Sequence, residues 1–136
     1  MTQAFLVAAT RFADALDAEN YDALNALLAS DCEYVARDGT YRGQDAIQSS
    51  YRSAAVWAKT HIASVVYESR VCLESGDTAV VTFIDRLRHA GVAHVYSCEQ
   101  VLEFAADGAI RRITHRELPG ERAALNAFLG QLGFTR

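Results

Sequence analysis

The sequence predicts an α+β fold in which three early helices pack on one face of a curved antiparallel sheet. Three observations predict it. Apolar residues recur at helical spacing through much of the chain up to residue 58. After Lys59 the period changes to two and holds nearly to Pro119. The period-two segments are separated by the turn pairs Gly76-Asp77, Ala90-Gly91 and Asp107-Gly108. The expected order is therefore helix, helix, strand, helix, four hairpin-connected strands and a short closing helix.

Composition sets the class. A chain of 136 residues is about one domain, expected to run over 1–136. Its 51% hydrophobic and 22% charged residues suit a packed core rather than a disordered chain. The net charge of −4 argues against a nucleic-acid partner held by general electrostatics. No apolar run approaches the ~20 residues of a membrane span. The first helix begins almost at Met1, without a basic n-region or a cleavage site, so no secretion signal is expected. Cys32, Cys72 and Cys98 are odd in number and lack CxxC spacing, which suits reduced cysteines in a cytoplasmic protein.

Each element has its own signal. Residues 3–17 place Phe5, Ala8, Ala9, Phe12, Ala13 and Leu16 on one face, with Arg11, Asp14 and Asp17 elsewhere. Asn20 is placed to cap a shorter helix whose apolar face is Tyr21, Leu24, Leu27 and Leu28. Cys32–Arg37 alternates as a short strand and ends at the turn pair Asp38-Gly39. Gly43 precedes a helix over 44–58, where Ile47, Tyr51, Ala54, Ala55 and Ala58 share a face and Trp57 sits at its edge. The first long strand puts His61, Ala63, Val65, Tyr67, Ser69, Val71 and Leu73 on one side. In the third, His94, Tyr96, Cys98, Gln100, Leu102 and Phe104 share a face. In the last, Ile110 and Ile113 are three apart, which predicts a bulge between them. Residues 121–132 form the closing helix with Leu125, Phe128, Leu129 and Leu132 on one side.

The second long strand, Thr78–His89, carries the most informative residue. Its inward face is Ala79, Val81, Phe83, Asp85, Leu87 and His89, because the other face ends in Arg86 and Arg88. A carboxylate between Phe83 and Leu87 is costly unless paired, hydrogen-bonded or neutralised. With tight turns at Gly76 and Gly91, Tyr67 falls opposite Asp85, and Asp85 opposite Tyr96. His61, His89 and His94 lie toward the Ala90-Gly91 end, and His115 and Glu117 follow Ile113 with inward parity. The outer face mixes charges with Val80, Ile84, Val95 and Val101, which predicts a homodimer through the sheet.

Several stretches resemble the nuclear transport factor 2-like superfamily, whose small members include SnoaL-like polyketide cyclases, ketosteroid-isomerase-like and scytalone-dehydratase-like proteins. They are Tyr21-Asp22-Ala23-Leu24 running into Leu27–Tyr34, Tyr41-Arg42-Gly43-Gln44-Asp45-Ala46-Ile47, Thr60-His61-Ile62, and Phe104–Ile110. The resemblance implies a cone-shaped, cystatin-like fold: a curved sheet wrapped around a long helix, with one internal pocket. The base position of ketosteroid isomerases falls near Ala36, which cannot accept a proton. The Arg-x-Asp pair of limonene-epoxide-hydrolase-like members has no counterpart, since Asp85 and Arg86 are adjacent and face opposite ways. Thr60-His61-Ile62 matches a histidine position of the scytalone-dehydratase-like members.

The residue types define the expected chemistry. Asp85, with Tyr67, Tyr96 and His61 or His115, suits proton abstraction beside a carbonyl, followed by isomerisation, dehydration or cyclisation. Such steps need no cofactor. Tyr34, Tyr51, Trp57, Phe83, Cys98 and Phe104 would bind a small hydrophobic molecule. No HxH, HxxxH or HExxH spacing supports a metal site, and no GxSxG elbow supports a serine hydrolase. The alternative is a non-catalytic ligand-binding or dimeric assembly domain of the same fold.

Overall fold

A computed structural model describes residues 2–134. Helix α1 (Thr2–Asp17) is followed by a 3-10 turn (Tyr21–Ala26), strands β1 (Leu28–Ala36) and β2 (Gly39–Arg42), and helix α2 (Gln44–His61). Strands β3 (Ser64–Ser75), β4 (Thr78–His89), β5 (Val92–Phe104) and β6 (Ile110–Glu117) then lead to helix α3 (Glu121–Gln131). The six strands form one curved, unclosed sheet in the order β2-β1-β6-β5-β4-β3. The helices and the sheet make the α+β cone.

The meander follows the alternation. Tight turns fix its register, and the bulge falls where the isoleucine spacing requires it. Leu102 pairs with Ile113 and Phe104 with Ile110, so two steps on β5 match three on β6. The extra residue keeps both isoleucines inward, each fully buried. Between β4 and β5, Ala90 and Gly91 both take positive φ (50° and 78°), the geometry of a two-residue hairpin turn that matches strand twist.

Four local expectations change. Leu28 does not belong to the second helix; it opens β1. The second helix is a 3-10 turn, and Asn20 makes no side-chain cap bond to it. Past the Asp38-Gly39 turn the chain forms β2, which pairs Tyr41 with Tyr34; four residues are too few for a period to register. Helix α2 runs to His61 rather than ending at 58, because Thr60 and His61 return their side chains to the carbonyls of Val56 and Trp57 (2.7 and 2.8 Å). The sheet is also mixed: β1 runs parallel to β6. Pairing of strands so distant in sequence leaves no local signal.

Two apolar clusters fill the cone. One joins α1 to the sheet through Phe12, Leu24, Ile47, Leu102 and Ile113, all fully buried, and stacks Phe5 on Phe104 at 4.7 Å. The other packs Leu125, Phe128 and Leu129 of α3 on Ile62, Leu87, Tyr96 and Cys98. Phe83 touches both clusters, and a cavity opens beside it. Among the described residues no helix is long and apolar enough to cross a membrane.

Candidate functional site

The sheet register sets the floor of the cavity. Tyr67 on β3 pairs with Asp85 on β4, and Asp85 pairs with Tyr96 on β5. All three line a cavity of about 670 Å³, and so does His115 from β6. Tyr34, Tyr51, Trp57 and Phe83 supply aromatic wall, and Cys98 lies between. Burial, with the negative charges of Asp85 and Glu117 nearby, pushes the Cys98 thiol up to about 12, so it is protonated at neutral pH. Exposed Arg37 and Asp38 on one side and Ser49 and Ser53 on the other mark the opening, between the β1–β2 turn and α2.

His61 and Phe104 lie elsewhere. His61 ends α2 instead of starting a strand, stacks on Trp57 at 4.3 Å, and does not line the cavity. Phe104 is buried against Phe5 in the α1 cluster. The histidines expected near a mouth are covered. His61 and His89 meet the ring of Phe134 at 5.5 and 5.3 Å, and His94 stacks on Phe128 at 5.1 Å. The apolar side of α3 and the segment after it occupy that end of the cone.

Two polar clusters line the wall, and both use β5. In the first, Tyr51 donates to Gln100 Oε1 (2.5 Å), and Gln100 Nε2 donates to the Tyr34 hydroxyl (2.9 Å). Gln100 is only 5% exposed, and the two tyrosine rings stack at 4.8 Å. Burial, partly offset by the Gln100 bond, pushes Tyr34 up to about 12. Burial also holds Tyr51 well above its ordinary value. Both phenols are neutral.

The second cluster is charged. Tyr96 donates to Glu117 Oε2 (2.8 Å) and accepts from Arg122 Nη2 (2.8 Å). Arg122 Nε donates to Glu117 Oε1 (2.8 Å), and its Nη2 lies 2.7 Å from the same oxygen. Burial would raise Glu117, but the bonds from Tyr96 and Arg122 outweigh it and hold the carboxylate below its usual range. Burial and the Glu117 bond raise Tyr96. His115 Nε2 sits 3.4 Å from Glu117 but is buried without a hydrogen bond. Burial lowers His115 against the pull of Glu117, which keeps the ring neutral.

Three of these residues were missed as site residues by sequence reasoning. Gln100 had a weak signal, as an amide on an inward face between Cys98 and Leu102. Arg122 had none, because its reach depends on where α3 docks. Asp17 was assigned to the polar side of α1, yet it lines the cavity and accepts from Ser69 Oγ (2.6 Å). Its other oxygen is buried without a partner. Burial, with Asp14 and Glu68 nearby, raises its pKa despite the Ser69 bond. A small chamber of about 60 Å³ adjoins the cavity under α3. Trp57, Asp85, Tyr96 and Arg122 line both spaces, so Asp85 stands at their junction. Among the described residues no group of three His, Cys, Asp or Glu could hold a metal ion.

A curved sheet enclosing a ligand-sized cavity is the architecture of the nuclear transport factor 2-like superfamily. Residues 9–113 match the model of the SnoaL-like domain, and the chain belongs to that family. Among solved structures it is similar to TerC co-crystallised with polyporic acid, at 16% identity over 93% of this chain and 98% of that one, with a TM-score of 0.71. It is also similar to an LEH-like epoxide hydrolase of M. tuberculosis (20% identity, 97% and 96% covered, TM-score 0.66). A third is a protein with a ketosteroid isomerase-like fold from Catenulispora acidiphila, in complex with trimethylamine (20% identity, 94% and 93% covered, TM-score 0.65). At these identities the likeness shows the fold alone. Among curated proteins no sequence match is found. The family supports a small-molecule-binding protein.

Proposed function

We propose that the protein is a cofactor-independent acid–base enzyme of isomerase, cyclase or dehydratase type. Its substrate is a small, largely apolar carbonyl or hydroxy compound, and Asp85 is the general base. One observation carries the reading: the register brings Tyr67, Asp85 and Tyr96 into a row on the wall of a cavity large enough for a ring system. A carboxylate set among aromatic rings is placed to take a proton from a carbon beside a carbonyl. Tyr34, Tyr51, Trp57 and Phe83 would hold the apolar body of the substrate. The neighbours co-crystallised with polyporic acid and trimethylamine, and the epoxide hydrolase, agree with a small organic ligand.

The test does not require the natural substrate. A panel of cyclic and aryl ketones in deuterium oxide, followed by NMR, reports exchange of protons beside the carbonyl. Wild type should catalyse exchange on at least one member, and Asp85→Asn should lower the rate by about 10²–10⁴-fold. If Asp85→Asn changes only stability or assembly, the protein is a non-catalytic binding domain instead.

The partner and compartment form part of the same proposal. Val66 and Val95 flank Arg86 across three adjacent strands of the outer face and are 53% and 46% exposed. A second copy would cover them. Sedimentation of wild type against a Val66→Glu, Val95→Glu variant tests this; a monomeric wild type would refute it. The three cysteines are free, which suits a reducing cytoplasm.

A further inference from the structure

The row of Tyr67, Asp85 and Tyr96 supplies a base but leaves open what stabilises the charge that forms when the base acts. Tyr96 is not free to do so. Its single proton is directed at Glu117 Oε2, and one of its lone pairs takes the bond from Arg122. His115 lies beside the same carboxylate with Nε2 buried.

Arg122 is placed differently. Its Nε and Nη2 are directed at Glu117 and Tyr96, and the cation lies 5.0 Å from the Tyr96 ring centroid. Those contacts fix the plane of the guanidinium. Nη1 takes part in none of these contacts with Glu117 and Tyr96, and the Arg122 side chain is 25% exposed. The residue lines both the main cavity and the small chamber, as Asp85 does. A guanidinium braced along one edge and partly exposed on a cavity wall is a preorganised donor for an oxygen carrying negative charge.

We propose that Arg122 is a catalytic residue of this site, whose Nη1 edge holds the substrate oxygen that becomes negative while Asp85 removes the neighbouring proton. Glu117 and Tyr96 are positioning residues that brace it. The inference rests on the reading of Asp85 as a base. In the step, the C–H bond breaks and its proton passes to the Asp85 carboxylate. The C–H electron pair forms a carbon–carbon double bond, and the carbonyl π pair moves to oxygen, giving an enolate paired with Arg122. Return of the proton to carbon or oxygen completes the cycle, with no oxidation or reduction. The ligand class is an enolate, or an enolate-like oxyanion, on an apolar ring.

A phenolate is a stable stand-in for such an oxyanion. The probes are 4-nitrophenol, whose absorption spectrum distinguishes phenol from phenolate, and neutral 4-nitroanisole of similar shape. Binding is also followed by the fluorescence of Trp57, the chain's single tryptophan, on the cavity wall. Wild type should bind 4-nitrophenol as the phenolate, lower its apparent pKa by about one unit, and prefer it at least about tenfold over 4-nitroanisole. Arg122→Met should lose both effects, and Arg122→Lys should keep part of them. The double variant Arg122→Met, Glu117→Gln removes both charges together, so a fold weakened by an unpaired Glu117 cannot imitate the result. Equal affinity for the two probes, binding as the neutral phenol, binding of neither, or an unchanged spectrum in Arg122→Met would overturn the proposal. Asp85→Asn separates the two assignments. It should lower ketone proton exchange by about 10²–10⁴-fold and retain phenolate binding. If exchange survives in Asp85→Asn while Arg122→Met loses the phenolate, the base assignment fails and that of Arg122 stands.

Discussion

Two polar clusters sit four residues apart on β5, and they resolve the same problem in opposite ways. Gln100 bridges Tyr34 and Tyr51 with neutral groups whose bonds are directed at one another. Tyr96 joins Glu117 and Arg122, two ions that remain partly exposed, at 30% and 25% of their side chains. The neutral cluster satisfies buried polar atoms and stiffens an aromatic wall. The charged one ties the first turn of α3 to β5 and β6 and leaves part of a cation accessible. Inward polarity is therefore not one signal. Whether a cluster is internally satisfied or keeps partly exposed charges separates the two.

The largest expected effect breaks the neutral cluster. Gln100→Leu removes the partner of two buried hydroxyls and should cost about 2–4 kcal/mol, read from urea unfolding. Replacing all three members, as Tyr34→Phe, Tyr51→Phe, Gln100→Leu, should recover most of that loss, since paired removal leaves no orphan. If the triple variant is no better than the single one, Gln100 stabilises by packing rather than by its bonds.

The charged cluster should respond to acid, and the neutral one should not. Glu117 is held below its ordinary value of 4.5, so its contribution is present above pH 4.5 and is lost as pH falls through its folded value. Glu117→Gln should cost about 1 kcal/mol at neutral pH, with the difference from wild type vanishing in acid. Thermal unfolding across pH 3–7 of this variant beside Gln100→Leu measures the contrast. A penalty for Glu117→Gln that does not change with pH would remove it.

Asp17 gives the smallest effect and the opposite sign. It has neither a neutral ring of partners nor a cation, and its pKa is raised above 3.8. Its contribution is therefore greatest below pH 3.8 and is lost as pH rises through its folded value. Asp17→Asn should raise the Tm at neutral pH by a few degrees and leave it unchanged in acid. A lower Tm at neutral pH would mean that the charged form has a partner.

Much of the fold was legible because its signals are local and periodic. The row from Tyr67 to Tyr96 followed from alternation plus two tight turns. The bulge followed from a three-residue step between two isoleucines. His61 was misplaced because its parity with Val65 and Tyr67 suits a strand, whereas its bond back to Trp57 keeps it in the helix and β3 starts only at Ser64. Strand β2 and the parallel pairing of β1 with β6 had no local signature.

What the sequence determined by itself is which residues face inward and which stand opposite one another along consecutive strands. Side-chain alternation and hairpin geometry are properties of the nearby chain. What only the tertiary structure decided is which inward groups meet. Helix α3 docks on β5 and brings Arg122 to Glu117 and Tyr96; α1 brings Asp17 to Ser69; the β1–β6 pairing and α2 bring Tyr34 and Tyr51 to Gln100. Those meetings depend on packing of elements distant in the chain, and no period along the sequence encodes them.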